Sequence, residues 1–217
     1  MGKMKNIKNP IFAIDFEGSR KIGIVEYGIA EITNGTISAC STGICAPRTT
    51  ISIADSKLFD ITTTQAQAFP PFETHLQQFC HMRKRGVFMA HNAIAEDTML
   101  RDALPASPIV ENPLTKRNCS TWGPYIDSCV LAKTLFKLNS AKLSDVIDVF
   151  QLQNQLDEFA QQYCPTNRRK YHCALYDAIA SALILIKICS FDGFEDVSLE
   201  WLLKYSNQSQ DSQQALL

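Results

Sequence analysis

The dipeptide Asn34-Gly35, set between two apolar runs of β character, constrains this chain more than any other feature. A two-residue Asn-Gly connection favours a turn in which both residues take positive φ, and that turn joins antiparallel strands. Residues 22–32 and 36–45 therefore read as a hairpin, with residues 11–15 as a third strand before it. After this meander the pattern changes. A long connection, residues 46–71, is punctuated by Pro47, Pro70 and Pro71. Phe72, Leu76, Phe79 and Met82 then recur at helical spacing, and Gly86 closes a helix over residues 72–85. Val87–Ala90 reads as a short buried strand, and Asn92 as the cap of a helix running to about Leu104. Beyond a Pro- and Asn-rich loop at 105–123, Tyr125-Ile126 forms another short strand leading to Asp127. Helices follow at 128–136, 142–150 and 174–189, with a turn or two at 199–205. The sum is an α/β fold: a mixed sheet, antiparallel meander plus parallel strands, flanked by helices.

A length of 217 residues suits one domain with a continuous core. We expect a basic N-terminal extension at 1–10, one globular domain at 11–205, and a disordered Gln/Ser-rich tail at 206–217. The apolar run at the start is too short for a secretory signal, and residues 178–189 are too few to span a bilayer. The expected setting is cytoplasmic, with no membrane. The eight cysteines include no C-x-x-C pair and read as packed thiols. His75, Cys80 and His81 have the wrong spacing for zinc. A net charge of -1 is not the signature of a grip on nucleic acid through bulk positive charge, and it leaves a compact acidic site open.

Acids supply that site. Asp15 and Glu17 end the first strand two residues apart, so both point to one face. Side by side they repel unless a cation lies between them; taken alone, the pair reads first as a solvated strand end. The second unit, residues 88–97, is a buried strand, Asn92 and a helix bearing Glu96 and Asp97. The third, Tyr171-His172-Cys173-Ala174-Leu175-Tyr176-Asp177-Ala178, separates His172 from Asp177 by five residues. On one helix that is about 140° apart, so the two meet only if His172 lies in the preceding loop.

Ala-Ile-Asp-Phe-Glu at 13–17, Ala-His-Asn-Ala at 90–93 followed by an acid and Leu100, and His-x-Ala-x-x-Asp-Ala at 172–178 occur in a set order. In that order the chain resembles the DEDDh (DnaQ-like) 3′→5′ exonucleases of the RNase H-like superfamily. That family includes the proofreading subunit of bacterial replicative DNA polymerase, RNase T and oligoribonuclease. Phe69-Pro70-Pro71-Phe72, and Asp127-Ser128-Cys129-Val130-Leu131-Ala132 with Lys142-Leu143, agree more softly. The resemblance implies an RNase H-like fold and two divalent cations, Mg²⁺ or Mn²⁺, acting on the 3′ ends of single-stranded DNA or RNA. It implies that Asp15 bridges both ions, that Glu17 and Asp177 hold the one carrying the attacking water, and that His172 is the general base. A homodimer or a polymerase or repair partner is the company such relatives keep.

The pattern departs from the family at its second motif, where Glu96 stands in place of Asp and Asp97 follows directly. Helical spacing favours Glu96, which shares a stripe with Ala93, Met99, Leu100 and Ala103. Asp97 stands four before Arg101, the spacing of a surface ion pair. Ala95 replaces the usual phenylalanine. Arg168 and Arg169 read either as contacts to substrate phosphates or as a solvated loop. Phe16, by its backbone, and His91 and Asn92 complete the expected substrate contacts, although the Phe16 ring and His91 also read as packing. The other class of function is a noncatalytic nucleic-acid-binding subunit of a larger assembly. Asp15, Glu17, His172 and Asp177 together argue against it, because a binding module has little use for a cluster of acids beside phosphates.

Overall fold

The structure is a computed structural model that describes residue 4, residues 6–194 and residues 196–214, with side chains as far as Ser206. Strands β1 (Ile11–Ser19), β2 (Gly23–Thr33) and β3 (Thr36–Ile44) form the meander. Asn34 and Gly35 turn between β2 and β3 at φ 54° and 75°, the positive-φ pair their residue types favour. β4 (Val87–Ala90) and β7 (Ile126–Asp127) extend the sheet, in the order β3-β2-β1-β4-β7. The first three strands are antiparallel, whereas β4 runs parallel to β1 and β7 parallel to β4. A separate hairpin, β5 (Val110–Glu111) with β6 (Asn118–Cys119), organises the loop before β7.

Alternation along β1 divides the core. Phe12, Ile14 and Phe16 face an aromatic cluster with Phe72, Phe79 and Phe88, closed by α3 (Leu76–Arg85) and α4 (Ala93–Ala103). Ile11 and Ala13 face the other way, toward α8 (Ala174–Ile188). Asp15 and Glu17 continue this second row by the period of two. α8 is buried at every residue but Lys187, so it is a central helix of the core, more enclosed than one broad apolar face requires. Around it pack α5 (Ser128–Phe136), α6 (Leu143–Val149) and α7 (Gln153–Tyr163), and α9 (Leu199–Gln214) packs on α5 and β7.

Several expectations need correction. The connection at 46–71 carries two short helices, α1 (Ile53–Phe59) and α2 (Thr63–Ala66). Ser52 caps the first, and Thr62 with Gln65 forms a reciprocal capping box on the second. Phe59, Ile61 and Ala66 bury a satellite core against Ile22 and Val25. Residues 1–10 are not merely appended, because Met4 and Ile7 lie in the main core; residues 1–3 and 5 are outside the described set. Nor does the domain end at 205. Leu202 and Leu203 are buried, the Ser206 hydroxyl accepts from the Asp127 amide at 2.9 Å, and the helix runs on to Gln214. A helix nucleated by buried leucines extends cheaply into residues of moderate propensity. Residues 215–217 of the expected tail are outside the described set. No helix among the described residues is long and apolar enough to cross a membrane.

Gly28 lets α8 approach the sheet. It pairs with Asp15, and a Cβ there would lie 2.2 Å from the Ala174 carbonyl carbon and oxygen. Gly28→Ala must therefore push α8 off β2. It is expected to destabilise the chain by about 1–3 kcal/mol, read as a lower urea midpoint at unchanged slope. A wild-type midpoint would contradict the close contact.

Candidate active site

Three elements deliver carboxylates to one end of the sheet. β1 supplies Asp15, half-buried, and Glu17, buried; α8 supplies Asp177 in its first turn; α4 supplies Glu96, also in its first turn. A ligand atom from each of Glu17, His172 and Asp177 lies within 4.8 Å of the others. His172 sits in the loop before α8, as convergence requires, with left-handed backbone at φ 61° and its side chain exposed. Its amide donates to Asp177 Oδ2 at 2.9 Å, which ties imidazole and carboxylate into one unit.

Of the two adjacent acids on α4, Glu96 turns inward with Ala93, Leu100 and Ala103, all buried. Asp97 instead pairs with Arg101 at 3.0 Å on the half-exposed flank. The orientation of α4 is set from outside the helix. Asn92 is left-handed at φ 73° and, contrary to the sequence reading, makes no side-chain cap. Asp127 does this work: Oδ1 accepts from the Asn92 amide at 3.2 Å and Oδ2 from the Ala93 amide at 2.8 Å. Oδ1 also accepts from Cys129 and Val130 at 2.9 and 3.1 Å, so one carboxylate caps α4 and α5 together. Sequence reasoning noticed Asp127 without giving it this task.

The acids strain against one another. Burial is the chief cause of every shift. It pushes Glu17 up to about 8, helped by Asp177 and Glu26 and opposed by Arg168. Glu96 also rises to about 8, with Asp127 and Asp177 adding repulsion. Asp177 rises to about 7 although the His172 amide pulls it down. Asp15 is driven well above the usual carboxylate range by burial, then by Asp177, Glu96 and Glu17 in turn. Two buried carboxylate oxygens, Glu96 Oε2 and Asp177 Oδ1, have no hydrogen-bond partner among the described residues. Oxygen donors left bare beside like charges are what a hard divalent cation takes, so the residues present fit such an ion.

The remaining expected contacts divide. The Phe16 ring is core, 5.5 Å from Phe72 and 5.9 Å from Phe79, centroid to centroid, leaving only its backbone at the site. His91 is engaged at both nitrogens: Nε2 donates to the Ala141 carbonyl at 2.7 Å, and Nδ1 accepts from Ser128 Oγ at 2.9 Å. Burial lowers its pKa, so it stays a neutral packing residue. The Asn92 side chain is exposed. The arginines need correction. Arg168 is buried on Glu26, and Arg169 donates to the Cys164 and Gln161 carbonyls at 3.2 and 3.1 Å. Arg168 is thus spent on protein acceptors and not presented to a phosphate, whereas Arg169 is exposed with two of its nitrogens engaged. Glu26 was missed, although a charge at an inward position of an apolar strand is a signal that could have found it.

No family model and no curated protein sequence matches the chain. Solved structures do. Exonuclease X in complex with 5′ overhanging duplex DNA is 22% identical, with a TM-score of 0.65 over 91% of this chain and 98% of that one. The nuclease domain of 3′hExo, a DEDDh family member bound to rAMP, is 17% identical, with a TM-score of 0.58 over 88% of this chain and 96% of that one. E. coli Exonuclease I in complex with a dT13 oligonucleotide is 10% identical, with a TM-score of 0.58 over 84% of this chain and 41% of that one. The chain therefore spans less than half of the Exonuclease I structure. It has the fold shared by these exonucleases, the RNase H-like mixed sheet.

The raised carboxyls mean that, without metal, the folded chain holds protons its unfolded form has released. Stability should then fall as pH rises from the unfolded value of about 4 through the folded values of about 7 to 8. Melting temperature in chelator is expected to decline across this window, and Mn²⁺ should restore it most at the alkaline end. A profile in chelator that is flat or climbs would contradict the strained cluster.

Proposed function

We propose that the chain is a 3′→5′ exonuclease that hydrolyses the terminal phosphodiester of single-stranded DNA or RNA, using two divalent cations, Mg²⁺ or Mn²⁺. The observation that supports this reading is the grouping of Glu17, Asp177 and the exposed His172 within 4.8 Å, with Asp15 and Glu96 near enough to feel the same charges and two of the acids keeping bare buried oxygens. Bound there, such ions supply charge for the phosphate and lower the pKa of the attacking water.

The residues around them have separable tasks. Asp15, Glu17, Glu96 and Asp177 would hold the cations, with Asp15 central because it feels the charge of the other three. Asp177 is pinned by the His172 amide, which limits its motion. His172 Nε2 or Nδ1 would accept the proton of the water at neutral pH, and its exposure leaves a path to release it to solvent. Asn92, exposed at the start of α4, is placed to meet the terminal nucleotide. A net charge of -1 suits a protein that grips a chain end through its metals and not a long duplex through its surface. The longer side chain of Glu96 fits this reading, since it is buried inward where the family's Asp would stand.

Digestion of 3′-labelled DNA and RNA oligonucleotides in Mg²⁺ and in Mn²⁺ tests the proposal. Wild type should release the 3′ nucleotide first, and chelator should stop it. His172→Ala is expected to lower the rate by about 10²–10⁴, and Asp15→Asn by at least as much. Glu96→Asp should change the ratio of the Mg²⁺ and Mn²⁺ rates. Binding of oligonucleotide without cleavage in either metal would instead indicate a noncatalytic binding subunit.

A further inference from the structure

We propose that Arg168 and Glu26 form a buried clamp that positions His172 for the hydrolytic step, so that Arg168 acts on catalysis through the histidine and not through substrate phosphate. The inference rests on the exonuclease reading for its catalytic half, while the clamp itself stands on geometry.

Arg168 is 6% exposed and spends its guanidinium entirely on protein. Nε donates to Glu26 Oε1 at 3.0 Å, and Nη2 donates to Glu26 Oε2. Nη1 donates to the carbonyls of Phe59 at 2.5 Å and Asp60 at 3.5 Å, at the end of α1. Glu26, 3% exposed, lies directly across the β1/β2 ladder from Glu17. Like charges so placed repel, and the fork of Arg168 closes over one of them. The same Glu26 carboxylate accepts the Ala174 amide at 3.1 Å, capping α8, whose own N-cap residue Cys173 supplies no side-chain cap. Both ends of the segment 168–174 are therefore tied to a single carboxylate on the strand beside Glu17. His172 lies between the two ties, in left-handed backbone that a non-glycine residue keeps only when its surroundings hold it. Lys170 adds an outer tie to Asp60 at 2.9 Å.

Stability alone does not explain this arrangement. A buried ion pair is often no more stabilising than an apolar pair of the same volume. What the planar fork adds is direction, since two parallel hydrogen bonds and a third to a different loop leave the segment one placement. Lysine cannot reproduce that.

Two variants of the full chain test the clamp. Arg168→Lys keeps the charge without the fork. Glu26→Gln/Arg168→Met removes both charges, so that no buried ion is left alone, and still offers Ala174 an acceptor. Rates on a single-stranded oligonucleotide would be measured for each in the wild-type and His172→Ala backgrounds, with hydrogen exchange of peptides covering 165–175. Each variant is expected to lower kcat by about 10- to 100-fold at unchanged KM. In His172→Ala, which has already lost the group being positioned, the further loss should shrink to roughly twofold. Exchange should quicken at 168–174 while β1 and β4 keep wild-type protection. An equal loss in both backgrounds, a raised KM with kcat intact, or unchanged exchange at 168–174 would overturn the proposal. If wild type cleaves nothing in either metal, the exonuclease reading falls; the exchange measurement then still decides whether the clamp holds the segment.

Discussion

Repulsion among buried carboxylates is the constraint around which this structure is arranged. Asp15, Glu17, Glu96 and Asp177 are brought together where burial holds their pKa values up, and the charge of Asp177 raises the other three further. Such a cluster disperses unless rigid elements hold it. β1 fixes two of the acids by its alternation and by its ladder with β2, which runs through both, while β4 anchors the strand at Ile11–Ala13. α8 brings the third against the sheet through the gap left by Gly28. α4 brings the fourth, its first turn held by a carboxylate from β7. A core of closely packed aromatic rings and a central helix buried almost throughout resist the strain.

The parts legible in the sequence were those governed by local period. The meander followed from Asn34-Gly35 and the flanking runs, and the inward turn of Glu96 followed from its stripe with Ala93, Leu100 and Ala103. His172 lies in the loop before α8, the condition that its five-residue separation from Asp177 set for the two to meet. What escaped depended on distant partners. Arg168 read either as a phosphate contact or as part of a solvated loop, because its carboxylate partner lies 142 residues away. Asp127 and Ser206 form one support across 79 residues, which no local pattern announces. α7 was overlooked although Leu156, Phe159, Ala160 and Tyr163 recur at helical spacing; the many glutamines between them hid the stripe. The two helices at 53–66 were marked by their caps and passed over because prolines dominate that connection.

Fold and function stand on different ground here. Structures at 10–22% identity share the architecture, and one architecture can serve many chemistries. The chemistry has to come from the side chains, and the substitution of Glu96 for Asp is where this chain tests its own resemblance. A glutamate reaches further, yet here it is buried with one oxygen bare. That burial fits the ligand role proposed for it better than the role of a surface acid.

Anomalous diffraction from crystals grown with Mn²⁺ addresses the central claim most directly, because it locates the cation without reference to turnover. The account predicts manganese peaks bounded by Asp15, Glu17, Glu96 and Asp177, with oxygen contacts of about 2.0–2.2 Å. Manganese absent from those carboxylates at saturating concentration, or coordinated by Asp97 with Glu96 turned away, would contradict it.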